Sequence, residues 1–321
     1  MTDEMGSEGT DHDVVIVGGG PAGCSAGVFT ARAGLDTAVF DRGRSSIQRC
    51  AHLENYLGFP GGVDIETFYG LMHDHAEETG CTLVSDLVES VEHGDDARFR
   101  VELQSGEPVT ARWVIAATRY DAGEYLRGLD SEGRGPSGSR TESGDSEDAM
   151  FVTEEYEGET RTHFDKEYAE EDGSTPVEGL YIASPYAATS PQAIMAAGKG
   201  ARVGVAVIEA VRRDRGYPDP VAEYYDWVRS ESERTGEWSD RDRWREFYDG
   251  RFPDDHDLSP DRVEEIRERE IDRRFDQYID DAETERRAEA GQRRLLEHVD
   301  DDLVLEAARE IEAERDAQLD D

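Results

Sequence analysis

Apolar positions along the chain fall into two regimes. Through residues 13 to 118, short apolar runs alternate with helical patterns: Val14 to Val17, a small-residue helix reaching Ala33, Thr37 to Asp41, and Trp113 to Ala117. Strand and helix signals in alternation predict an α/β fold with a parallel sheet. Between about Arg119 and Ala149 the chain turns to Gly, Ser, Asp, Glu and Arg with no apolar period, which predicts a loop or linker. From Phe151 order returns with a hairpin, a strand at Leu180 to Ala183, and a small-residue helix from Pro191 to about Val211 that closes the main domain.

Beyond Gly216 charge dominates. Asp219-Pro220 and Ser259-Pro260 each pair a capping residue with a first-turn proline, so helices are expected to start there. Val263, Ile266, Phe275, Tyr278, Ile279 and Ala282 recur at spacings that draw one apolar stripe on a charged helix, which is expected to pack on the parent domain or a sister helix. The aromatics Trp227, Trp238, Trp244, Phe247 and Tyr248 are expected to form the small core of this extension. The expected organisation is therefore a disordered acidic N-terminus over 1–12, an α/β domain over 13–215 with a flexible linker at 119–150, and a charged helical extension over 216–321. No internal repeat is evident.

Composition changes the picture of the surface. The net charge is −41, and of 35 basic residues only Lys166 and Lys199 are lysines. Such a chain repels phosphate backbones and anionic headgroups, which argues against nucleic-acid and membrane partners. A lysine-poor, acid-rich surface resembles that of proteins from salt-accumulating halophilic archaea, where ionic strength screens self-repulsion. There is no apolar run of 18 residues and no basic leader, so a cytoplasmic location is expected. Cys24, Cys50 and Cys81 are odd in number and form no Cys-x-x-Cys pair, so neither a disulfide framework nor a zinc site is expected.

The strongest chemical motif is VVIVGGGPAG. Gly18, Gly20 and Gly23 follow an apolar strand and open a helix, the setting a dinucleotide fingerprint requires. Gly18 permits the tight turn, Gly20 lets backbone approach a pyrophosphate, and Gly23 with Gly27 lets the helix pack closely on the sheet. The helix N-terminus then offers unpaired N–H groups to the phosphates. Asp41 ends the second strand, where an acid accepts hydrogen bonds from the adenosine ribose. Gly133, Gly135 and Gly138 repeat the spacing without a strand before or a helix after, and are expected to be coincidental.

Two later stretches resemble the thioredoxin reductase family. HLENYLGFPGG (His52 to Gly62), followed by Phe68, Met72, His75, Ala76 and Gly80, is similar to the family's V-E-N-x-P-G-F and the helix after it. VEGLYIASPYAATSPQAIMAAGKGARV resembles the family's returning FAD segment. The resemblance covers roughly residues 12 to 213. It implies a Rossmann-like FAD-binding domain, FAD as the cofactor, and oxidoreductase activity. It places Gly18, Gly20, Pro21, Ala22, Gly23, Asp41, Arg42, Ser46, Gln48, Asn55, Val88, Ala117, Thr118, Ser184, Pro185, Gln192 and Ala193 among the FAD-contacting positions. Ser190 is expected to cap the returning helix, with Pro191 in its first turn, so that the amides of Gln192 and Ala193 face the flavin N1/O2 edge and favour its anionic reduced form. Departures are also plain: Ser184-Pro185 replaces the family's Gly-Asp, Arg119 the glycine of its A-T-G turn, and Ser45-Ser46-Ile47 its G-G-Q-L. The redox Cys-x-x-Cys is missing, and the interval from Tyr120 to Pro176 is too short for the family's nicotinamide domain.

Other groups carry weaker signals. Cys50 is a candidate charge-transfer thiolate, with a packed or incidental thiol as the alternative. Cys24 is expected to pack against the sheet, and His52 to be a structural or surface group. No metal spacing among the histidines and no G-x-S-x-G elbow appears. The expected function is a FAD-dependent oxidoreductase exchanging electrons with a small-molecule or protein partner, a thiol, disulfide or carrier, without NAD(P)H bound in a domain of its own. The alternatives are a flavin-binding subunit or sensor without catalysis, and a fold remnant acting as an interaction protein.

Overall fold

The computed structural model describes residues 9–95, 97–119, 123–130, 149–156, 159–165, 167–184 and 192–319. The chain separates into two compact units, Met1–Arg215 and Gly216–Asp321. In order, the first contains β1 (His12–Val17), α1 (Pro21–Arg32), β2 (Thr37–Phe40), the short pair β3 (His52–Leu53) and β4 (Val63–Asp64), α2 (Ile65–Glu78), and β5 (Thr82–Val84). Then come β6 (Val88–His93), β7 (Phe99–Leu103), β8 (Val109–Ala116), the hairpin β9 (Phe151–Tyr156) and β10 (Glu159–Phe164), β11 (Leu180–Ile182) and α3 (Ala193–Asp214).

Seven strands form one mixed sheet. β1 lies in parallel register between β2 and β8, with Val14 opposite both Thr37 and Trp113, and β5 extends the sheet beyond β2. The other edge of β8 is shared. β7 runs antiparallel along its first half, Phe99 opposite Ala111, and β11 parallel along its second, Leu180 opposite Val114. The strands β1, β2 and β11 are buried almost throughout because they are continuous apolar runs, as covered parallel strands must be. The architecture is α/β and Rossmann-like, with a β6–β7–β8 meander.

α1 and α3 meet through small residues. A Cβ at Gly200 would run into the Ala22 carbonyl oxygen, and one at Gly204 would lie 2.9 Å from that of Ala26. The two backbones therefore touch where any side chain would hold them apart.

Several boundaries differ from the sequence expectation. α3 begins at Ala193, with Gln192 in the capping position, and runs to Asp214; Ser190 and Pro191 lie outside the described residues. Residues 131–148, which contain Gly133, Gly135 and Gly138 and most of the expected linker, lie outside them too, as do residues 1–8.

The second unit contains α4 (Asp219–Ala222), β12 (Arg229–Ser230), α5 (Arg241–Asp249), α6 (Pro260–Asp276), β13 (Tyr278–Ile279), α7 (Asp281–Leu296) and α8 (Asp301–Leu319). Ser259 caps α6 by accepting from the Arg262 amide. The capping position of α4 is Pro218 rather than Asp219, and that helix is only four residues long. The apolar stripe does not lie on one helix. α6 stops at Asp276 because Tyr278 and Ile279 pair with Arg229 and Ser230, and the Asp280 side chain then caps α7. The core gathers Tyr217, Val221, Tyr248, Phe252, Ile266 and Ile271, with Trp244 and Phe247 packed against it and the Trp238 ring tilted against that of Trp244, centroids 4.8 Å apart. Trp227 is not part of it. It is 53% exposed, beside Tyr225 and under the Arg229 guanidinium.

Among the described residues no helix is long and apolar enough to cross a membrane. No cluster of His, Cys, Asp and Glu suited to a metal ion is found among them either.

Candidate dinucleotide-binding site

The carboxyl ends of β1, β2 and β8 bound a cavity of about 450 Å³, where the first parallel strands of such folds receive ligands. Its floor is the glycine turn. Gly18 holds φ at +113°, a conformation glycine adopts without strain, and its N–H donates to the Phe40 carbonyl at 2.8 Å. A Cβ on Gly18 would lie 2.9 Å from the Ala117 oxygen, and one on Gly20 would lie 2.7 Å from Ser45 Oγ. A Cβ on Gly23 would run into the Gly18 carbonyl, so this glycine lets α1 pack on the turn. α1 starts with Gly20 as its cap and Pro21 in its first turn, and the Cys24 N–H makes the helical bond to Gly20 at 2.9 Å. The amides of Ala22 and Gly23 come before that bond and have no acceptor within the helix.

Asp41 directly follows β2 and lines the cavity. Its carboxylate is held on both oxygens: the Tyr69 hydroxyl donates to Oδ2, and the Gly43 N–H donates to Oδ1 at 3.0 Å. His73 Nε2 stands 3.5 Å from Oδ2 and 2.9 Å from the Gly19 carbonyl. Burial, with the adjoining Asp41, pushes the Tyr69 phenol far above its ordinary range, so it stays a donor. Tyr69 and His73 were not anticipated. They sit one turn apart on α2, and only their four-residue spacing hinted at a shared face.

The other sequence candidates divide into two groups. Pro21, Ala22, Arg42, Ser46, Val88, Ala117 and Thr118 line the cavity with Gly18, Gly20 and Asp41. Arg44, Ser45, Arg49, Asp86, Arg119 and Tyr125 join them, unpredicted as contacts. Thr118 is anchored from two sides, its hydroxyl 3.1 Å from the buried Tyr125 hydroxyl and its carbonyl accepting from Ser184 Oγ. Ser184 thus secures the strand end without lining the cavity.

Gly23, Gln48, Asn55, Ser184, Gln192 and Ala193 are not among the lining residues, and Pro185 lies outside the described ones. Asn55, Gln192 and Ala193 nevertheless come together. The Asn55 amide donates to Gln192 Oε1 at 2.8 Å, and Ala193 packs on the cluster of Ile47, Leu53, Val63 and Phe68. Ala196, in the first turn of α3, lines the cavity itself.

Cys50 is exposed, ends the 3-10 turn Ser46–Arg49, and does not line the cavity. Cys24 and Cys81 are buried free thiols, pushed up by burial to about 12 and about 11. Cys24 donates to the Gly19 carbonyl at 3.3 Å, so it braces the glycine turn.

This strand, turn, helix and acid have the arrangement expected of a dinucleotide-binding α/β module. Residues 12–121 match the family described as pyridine nucleotide-disulphide oxidoreductase. The same part of the chain is thioredoxin reductase-like. It is 34% identical over 118 residues to a thioredoxin reductase of Listeria monocytogenes serovar 1/2a, a match covering 36% of this chain and 35% of that protein. With a thioredoxin reductase of Bacillus subtilis it shares 33% identity over 113 residues, 35% of each chain. The matched segment thus spans about a third of the length of these relatives. Among solved structures, a thioredoxin reductase from Gloeobacter violaceus aligns with 69% of this chain and 98% of its own, at 20% identity and a TM-score of 0.48.

Proposed function

We propose that the protein binds FAD along this cavity and acts as a flavin-dependent oxidoreductase, exchanging electrons with a small-molecule, thiol or carrier-protein partner. The observation that carries this reading is the placement of apolar surface. Among the described residues of the first unit the large hydrophobic side chains left exposed are Leu57 (86%), Met195 (50%) and Ile194 (37%). All three lie on the two segments joined by the Asn55–Gln192 hydrogen bond, and Ala196, next to Met195, lines the cavity itself. A glycine turn of phosphate-binding geometry in the cavity and uncovered apolar surface on a segment that reaches its wall at Ala196 suit a ligand that carries a pyrophosphate and a flat ring.

The residues fit the adenosine diphosphate half closely. Gly18 and Gly20 leave room for the pyrophosphate, the amides of Ala22 and Gly23 meet its charge, and Asp41, fixed by Tyr69 and His73, accepts from the ribose. The first amides of α3, from Ala193 onward, would favour negative charge on a ring held beside them. FAD bound there supplies two-electron exchange; the chain's own part is to hold it, orient it and stabilise charge.

Pyridine nucleotides are not the expected direct donors. The described part of the interval between β8 and β11 holds only a short 3-10 turn and the β9–β10 hairpin. Hydride delivery needs donor and acceptor within about 3–3.5 Å, which a domain must enforce. Purification in concentrated KCl, a visible spectrum and the mass of the released cofactor test the first part. Anaerobic stopped-flow mixing with NADH and NADPH tests the second. Colourless protein that takes up no FAD defeats the flavin assignment, and fast saturable bleaching by either nucleotide defeats the donor assignment.

A further inference from the structure

In this acid-rich chain most described arginines have found a carboxylate, as Arg112 has Asp214 at 2.7 Å and Arg127 has Glu124 at 2.7 Å. Arg42, Arg44 and Arg49 have not. All three line the cavity, and among the described residues none makes a hydrogen bond, ion pair or ring contact. Among the described arginines only Arg309 and Arg315, on α8, share that condition.

The acids on the same cavity wall are already engaged. Asp41 is oriented by Tyr69, Gly43 and His73. Asp86 accepts from the Leu87 amide at 2.7 Å and from Ser105 Oγ at 2.9 Å. Against these two carboxylates the cavity presents four guanidinium groups, Arg42, Arg44, Arg49 and Arg119, so the balance of charge along its lining is positive. Ser45 adds a hydroxyl with no hydrogen bond of its own, standing where it would meet a side chain on Gly20 at 2.7 Å, beside the place a phosphate approaches. In the 3-10 turn that follows, residues three apart stand in line, which aligns Arg49 with Ser46 on the cavity side.

We propose that Arg44, Ser45 and Arg49 form a clamp for the paired phosphates of a nucleoside diphosphate group, closing over the pyrophosphate held by the glycine turn. The proposal rests on the dinucleotide reading above and names the residues that set its preference for two phosphates over none. Planar guanidinium forks bind phosphate oxygens in pairs, and such charge-assisted bonds keep their geometric part in concentrated salt where a bare Coulomb attraction is screened.

The test is calorimetric titration of ADP, AMP and adenosine into full-length protein freed of bound nucleotide, in concentrated KCl. Wild type is compared with Arg44→Gln, Arg49→Gln, the double variant, Ser45→Ala and the control Arg309→Gln. The preference for ADP over adenosine is expected to fall about tenfold for each arginine lost and about a hundredfold in the double variant, with melting temperatures unchanged and the control unaffected. A double variant that keeps the wild-type ratio of ADP to adenosine affinity overturns the clamp. FAD, titrated in parallel, separates the two proposals. Wild-type protein that binds ADP through these arginines but refuses FAD sinks the flavin reading alone, whereas FAD held equally well by the double variant sinks the clamp alone.

Discussion

Asn55 Nδ2 donates to Oε1 of Gln192 at 2.8 Å, joining side chains 137 residues apart in the chain. One belongs to the loop after β3 and the other to the entrance of α3, so this bond links the two stretches that most resemble thioredoxin reductases. Both side chains are exposed, which limits the net worth of the bond to about 0.5–1 kcal/mol. A double-mutant cycle with Asn55→Ala and Gln192→Ala should therefore give a small coupling in stability. The same pair should show a larger coupling in FAD affinity, since ligand binding depends on the relative placement of the two segments. Strict additivity in flavin affinity would show that the bond positions nothing.

The three glycines of the turn should respond differently to substitution. The Cβ of Gly20→Val meets the movable Ser45 side chain rather than backbone, so the fold should survive while FAD occupancy is lost. Gly23→Ala drives a methyl into the Gly18 backbone carbonyl, which cannot step aside, and should cost about 3 kcal/mol. Denaturation curves and flavin content, measured on both variants, check the contrast. A Gly20→Val protein with full flavin occupancy would mean the turn is not the pyrophosphate site.

Alkylation should separate the cysteines. Cys24 and Cys81, raised by burial to about 12 and about 11, stay protonated and shielded at pH 9, whereas Cys50 is exposed. Mass spectrometry after iodoacetamide should find one added group on native protein and three after unfolding. Early labelling of Cys24 would contradict its place under the Gly19 carbonyl.

Acid should weaken the second unit through Glu268. Hydrogen bonds from Arg245 foremost, then Arg241, hold its carboxyl down at about 2 against an ordinary 4.5. A depressed folded value means the stabilisation is complete above the unfolded value and is lost as pH falls from about 4.5 toward 2. Discounted for partial exposure, Glu268→Gln should cost about 1–2 kcal/mol at pH 7, and the gap from wild type should narrow by pH 3. An unchanged gap at both pH values would assign the loss to packing.

Salt should stabilise the whole chain. Repulsion at a net charge of −41 opposes compaction and is screened as ionic strength rises. The melting temperature should climb with KCl, and indifference to KCl would remove the halophilic interpretation of the surface.

What was legible in the sequence follows from where the physics is local. β1, β2 and α1 could be read because continuous apolar strands, a glycine turn and a first-turn proline each signal within a few residues. The stripe through Val263 and Ala282 misled because its period survives a break: Tyr278 and Ile279 leave the helix for a pairing with Arg229 and Ser230 that lies about fifty residues away. Tyr69, His73 and Arg49 were missed as site residues for a related reason. Their roles depend on which strand end α2 and the 3-10 turn come to face, and no spacing within either segment states that. Trp227 looked like core on composition alone, yet it is half exposed, since aromatic content does not say which ring the fold covers.

The backbone contact between α1 and α3 has a consequence for how a ligand is measured. Gly200 against Ala22 and Gly204 near Ala26 leave the two helices no side-chain cushion in which one can slide on the other. One helix starts at the glycine turn, and the other starts beside Asn55. Their starting points therefore behave as the jaws of a caliper locked at a single gap, and a molecule that reaches both is gauged for length before any of its chemistry is read.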